Sequence, residues 1–155
     1  MSTQKEAIAH FDICIDHLGN VWNTLKAIKE HSGHPLVGPA FRYALIEYSI
    51  PFACSEGTAI RRHRLDAKYV PEHFLELHKR IVSSRNQVLA HTDLSILEPQ
   101  VSWSVVNGQR LLTRVQNNVS GLEELQNVDA ILQLIEETLD RMLSAREELV
   151  LKLEP

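Results

Sequence analysis

Arg85 and His91, with five residues between them, are the pair whose types and spacing could do chemistry. An imidazole takes up and releases protons near neutral pH, and a guanidinium offers a planar fork that matches phosphate oxygens. Together they suit proton transfer beside a phosphodiester. Reading back from His91, the residues Phe74, Leu77, Ile81, Ser84 and Val88 recur at alternating gaps of three and four, so all six share one helical stripe. A hydroxyl and an imidazole on an otherwise apolar stripe either satisfy themselves locally or open toward a pocket. Ser84 would line that pocket, Asn86 would orient His91 or a phosphate, and Glu47 with Tyr48 would face this helix, Glu47 as partner of Arg85. The plainer alternative has His91 capping the last carbonyls of its helix and Arg85 paired with an acid on a neighbour. Residues six apart on an ideal helix point about 120° away from each other. The pair therefore converges poorly within one chain, which favours a site shared between two.

The run Arg85-Asn86, four further residues and His91, followed by Thr92 and Asp93, resembles the Arg-polar-spacer-His motif of HEPN domains. The segment Glu47-Tyr48-Ser49-Ile50-Pro51-Phe52 resembles part of the abortive-infection-related branch of that family. The likeness implies an all-α helical bundle occupying residues 1–155 as a single domain. It implies a metal-independent endoribonuclease in which Arg85 and His91 are catalytic, with Ser84, Asn86, Glu47 and Tyr48 in support. It further implies a homodimer through the motif helix, RNA or a nucleotide as ligand, an antitoxin-like protein as partner, and a place in a toxin or phage-defence system. A HEPN-like module that binds nucleotide, RNA or protein without cleaving anything is the alternative. A structural dimerisation protein is the third reading.

Composition sets bounds on these readings. The chain has 155 residues, 44% hydrophobic and 23% charged, which fits one globular domain with a core of its own. No apolar run approaches the roughly 20 residues of a membrane span, and the first residues lack a secretory pattern, so a cytoplasmic protein with no membrane partner is expected. Cys14 and Cys54 are the only cysteines, too few for a disulfide framework. His10, Asp12 and His17 are too dispersed for a metal site, and no metal or cofactor is expected. The net charge of −4 excludes a uniformly basic surface, so any RNA contact must be local. Arg61, Arg62 and Arg64, with His63 and Lys68, and then Arg80 beside His78 and Lys79, form the candidate RNA-binding patch.

About four long helices must position these residues. Ile8, Phe11, Ile15, Leu18, Trp22 and Leu25 predict the first, from about Ser2 to His31, with Gly33 as a left-handed cap. Phe41, Leu45, Tyr48 and Phe52 predict a second, kinked at Pro51 near Ser49 or broken there into two pieces, the later one reaching about Arg64. The motif helix follows from Pro71 to Ala90 or His91. Alternation at Val101, Trp103 and Val105, then Asn107-Gly108, then a second alternating run to Gln116, predicts a β-hairpin near 101–116 that leans on the helices. Trp22 and Trp103 are read as core anchors. Ser120 and Glu123 form a capping-box pattern before a last helix along Leu125, Val128, Leu132, Ile135, Leu139 and Met142, antiparallel to the first and interrupted by Arg146.

Overall fold

The computed structural model describes residues 3–85, 100–116 and 120–151. Among these it is a helical bundle with one small hairpin: α1 (Thr3–Glu30), α2 (Val37–Ser49), α3 (Leu75–Ser84), strands β1 (Gln100–Val106) and β2 (Gln109–Gln116), and α4 (Val128–Leu151). Asn86 and His91, and with them the expected end of the motif helix, lie outside the described residues. Among the described residues, no helix is long and apolar enough to cross a membrane.

α1 and α4 form the spine. The buried line of α1 runs Phe11, Cys14, Leu18, Val21, Leu25 and Ile28, and it meets Ile131, Leu134, Ile135, Thr138 and Met142 of α4. Phe11, Leu18 and Leu25 of the expected line are buried as read, while Cys14 and Val21 take the fully buried places expected for Ile15 and Trp22, which pack partly buried against the core. Trp22 is accordingly half-buried at the seam, its Nε1 donating to Glu136 Oε1 at 2.7 Å. Asp12 accepts from Arg146 at 2.5 Å and Lys29 pairs with Asp129. As the α1 partner advances from 12 through 22 to 29, the α4 partner retreats from 146 through 136 to 129. That common step makes the pairing antiparallel and explains the arginine on the apolar line. Exposed pairs of this kind contribute about 0–1 kcal/mol each, so they set register while the buried side chains supply the stability.

α2 ends at Ser49, before Pro51, so a kinked continuation through Pro51 does not form. Pro51 has no N–H to donate to Glu47, and the last turn tightens: the Ile50 N–H reaches the Glu47 carbonyl at 3.1 Å and the Phe52 N–H that of Ser49 at 3.2 Å. The expected second piece to Arg64 is a loop instead. Ser55 and His63 exchange backbone bonds of 2.9 Å, and the Leu65 N–H donates to Pro51 at 2.8 Å, closing the loop on itself. Phe52, His63 and Leu65 turn inward from it.

The motif helix starts later than Pro71, because a 3-10 turn at Glu72–Phe74 precedes it. The hairpin is as predicted, with Asn107 at φ 51° and Gly108 at φ 78°, the left-handed pair that a two-residue turn between twisted strands needs. It does not bury its apolar residues, however, and Trp103 is 64% exposed rather than a core anchor. Half of the capping box forms: Glu123 Oε1 accepts from the Ser120 N–H at 2.7 Å, but the Ser120 hydroxyl accepts from the Leu122 N–H and the turn that follows is capped at Leu122, not Ser120. The positive φ is at Gly121, whereas Gly33 takes none. A 3-10 turn at Glu123–Asn127 then leads into α4.

Leu18→Ala empties fully buried space between α1 and α4 and is expected to lower unfolding free energy by about 2–5 kcal/mol. Trp22→Phe, which mainly removes the indole bond to Glu136, is expected to cost about 1 kcal/mol. Urea denaturation followed by circular dichroism measures both.

Candidate functional site

Arg85 continues the helical path of α3, with φ −57° and ψ −46°, and its N–H is shared between the carbonyls of Ile81 and Val82. Its side chain and that of Ser84 are half-buried, on the same edge as Leu77 and Ile81. The structure thus places Arg85 and Ser84 at the end of a packed helix, facing the interior side rather than bulk solvent.

α2 reaches this helix through one buried polar contact. The Tyr48 hydroxyl and His78 Nδ1 share a hydrogen bond of 2.9 Å, and Phe52 packs edge-on against the same imidazole with centroids 4.4 Å apart. Burial, with the nearby charges of Arg64 and Lys79, lowers the affinity of His78 for a proton, and burial pushes the Tyr48 phenol well above its usual range. His78 is therefore a neutral interior group and not part of a basic patch. Tyr48 faces the motif helix as expected. Glu47 does not: it is buried toward α1, where His17 Nδ1 and Asn20 Nδ2 each approach Oε1 at 3.4 Å. One helical step separates the two side chains, so they point to different neighbours.

The basic residues scatter. Arg61, Arg62 and Arg64 are exposed on the closed loop, with Arg64 close enough to His78 for its charge to be felt there. Arg80 is held by Glu124 through bonds of 2.6 and 3.3 Å, a bidentate pair that raises the arginine's proton affinity further and lowers that of the carboxyl.

A second constellation forms where the loop meets α1, a meeting of two segments that the sequence reading did not anticipate. Glu6 sinks its carboxylate into the loop and accepts from Thr58 Oγ1 at 2.7 Å, the Ala59 N–H at 2.7 Å, the Ile60 N–H at 3.0 Å and His63 Nε2 at 2.8 Å. Those donors, His63 and Thr58 foremost, hold its carboxyl far below the ordinary carboxylate range. His10 stacks on His63 with centroids 4.7 Å apart and lies 3.7 Å from the Cys14 sulfur. Burial and the neighbouring His63 keep His10 neutral, while burial pushes the Cys14 thiol up to about 11. A buried protonated thiol is a poor nucleophile. Beside these groups lies a cavity of about 430 Å3, walled by Ile13, Ile50 and Pro51 as well. The one available signal was the spacing of Glu6, His10, Cys14 and His17 along a face of α1; His63 and Thr58 come from the loop. His10, Asp12 and His17 turn to three different partners, His63, Arg146 and Glu47. Among the described residues, no group of three or more histidine, cysteine or acidic side chains is arranged around a metal position.

Comparisons of the chain with protein-family models, curated proteins and solved structures give no match.

The Glu6 clamp generates two expectations. A carboxyl with depressed proton affinity in the folded state adds stability that is present above its ordinary value of 4.5 and is lost as pH falls below it. The stability gap between wild type and Glu6→Gln should therefore be full at pH 6 and shrink toward pH 3; a constant gap contradicts the clamp. At Gly57 an added Cβ would stand 2.5 Å from both His63 Nε2 and the Ile60 carbonyl oxygen, and closer still to Glu6. Gly57→Ala should open the loop, read as faster limited proteolysis between residues 50 and 66.

Proposed function

We propose that this chain is a HEPN-like helical module that cleaves RNA without a metal. In this reading Arg85 holds the scissile phosphate and His91 takes the proton from the attacking 2′-hydroxyl, with Asn86 and Ser84 lining the same cleft. Tyr48, through His78, fixes the motif helix against α2. The observation that carries the reading is the position of Arg85: half-buried, on a helix packed into the bundle, with Asn86 and His91 next along the chain. A second copy of His91, from a homodimer through the motif helix, supplies the acid for the leaving oxygen. Arg61 and Arg62 extend the contact along the RNA backbone. A role in a toxin or phage-defence system, opposed by an antitoxin-like protein, belongs to the same reading.

One observation favours a second reading, a module that binds RNA, nucleotide or protein without cleavage. The motif helix presents less positive charge than its sequence suggests, because Arg80 is engaged by Glu124 and His78 is neutral.

Inducible expression of wild type, Arg85→Ala and His91→Ala, with cellular RNA resolved on gels, separates the two. The expected outcome is degradation and growth arrest with wild type, reduced about 100-fold or more in each variant while the helical dichroism stays intact. Intact RNA in all three, with nucleotide copurifying only with wild type, supports the binding module instead.

A further inference from the structure

The hairpin and the end of α4 carry surfaces that complement each other. Register pairs Trp103 with Leu112 and Val105 with Arg110, so Val101, Trp103, Val105, Leu112 and Arg110 share one face of the hairpin. Val101, Trp103, Val105 and Leu112 are 47%, 64%, 67% and 56% exposed. A two-stranded hairpin is marginal in water alone, so a bare face of this kind is a surface awaiting a cover. On α4, Leu143, Glu147, Val150 and Leu151 fall on one helical stripe, and its three apolar members are exposed as well.

Charge supplies the match. The hairpin from Gln100 to Gln116 contains Arg110 and Arg114 and no acid. α4 carries six acidic residues against Arg141 and Arg146, and Arg146 is already drawn to Asp12. Glu147 and Glu148 are exposed on its last turns. A basic, apolar face and an acidic, apolar stripe on one chain complement each other between copies.

We propose that two copies pair reciprocally, the Trp103 face of each hairpin seating on the Leu143 to Leu151 stripe of the other's α4, with Arg110 against Glu147. Reciprocity closes the assembly with a two-fold axis and doubles the buried area, where a one-way contact would build an open chain. This pairing needs no ribonuclease activity. It is a second contact about the same two-fold axis as the motif-helix contact of the proposed function, and neither Arg85 nor His91 takes part in it.

Sedimentation of the full chain over a concentration series tests the pairing. Wild type is expected to be a dimer. Trp103→Ser, Arg110→Glu and Glu147→Arg are each expected to weaken association about tenfold or more, with the helical dichroism unchanged. The double variant Arg110→Glu/Glu147→Arg is expected to regain it, since the exchanged charges meet across both contacts. A wild type that stays monomeric overturns the proposal, and so does a dimer indifferent to Trp103→Ser or a charge exchange that fails to rescue. A monomer whose hairpin face captures a foreign protein overturns it equally. Loss of RNA cleavage with the dimer intact bears only on the catalytic reading.

Discussion

The Glu6 carboxylate, seated among two backbone N–H groups, a hydroxyl and an imidazole, is the contact on which the neighbourhood of the motif helix depends. Pro51 ends α2 and releases a loop that has no regular structure to hold it. Left alone, a connection of this length would sample many conformations at an entropic cost to folding. Glu6 fixes the far side of that loop to the first turns of α1, the Ser55 and His63 bridge narrows its neck, and Gly57 leaves room for the carboxylate to enter. With the loop fixed, Phe52 and Leu65 enter the core and Phe52 abuts His78. The first turns of the chain thereby help to position a helix some seventy residues later.

Two kinds of order meet at α3. The spine of α1 and α4 is held by a continuous apolar seam and would be expected to unfold last. α3 is shorter and joins the bundle through Leu77 and Ile81 together with the Tyr48 to His78 bond, in which both partners are kept uncharged by burial. A buried neutral pair of this kind fixes orientation more than it adds net stability, because its hydrogen bond mostly offsets the desolvation of two polar groups. Orientation is what the catalytic site proposed at the end of α3 would require.

The long helices and the hairpin were legible because their signals are local. The three-and-four spacing of α1 and α4, the Asn107-Gly108 turn and the Ser120–Glu123 contact each involve residues close in sequence, whereas at Pro51 the sequence left a kink and a break both open. What the chain does after Pro51 was not legible, since the partner that shapes the loop lies more than fifty residues upstream. Size misled at the two tryptophans: an indole can serve a seam, as Trp22 does, or stand on a bare hairpin face, as Trp103 does. Charge misled at His78 and Arg80, because formal charge in a sequence says nothing of burial or pairing. Arg85 and His91 stand out in the sequence only as a motif, and Glu47 was assigned to Arg85 although its side chain turns to His17 and Asn20 of α1. The cluster of Glu6, His10, Cys14 and His63 is assembled from two segments and became visible only once they were folded together.

In the proposed function a guanidinium and an imidazole cleave RNA without a metal. In such a reaction the 2′-oxygen loses its proton to the base and bonds to the adjacent phosphorus, and the 5′-oxygen leaves with a proton from the acid. The most direct measurement is the end chemistry of RNA incubated with the purified chain in excess chelator. The account predicts a 2′,3′-cyclic phosphate on one product and a free 5′-hydroxyl on the other, at a rate the chelator does not change. Uncut RNA, or cutting that the chelator abolishes, would contradict it.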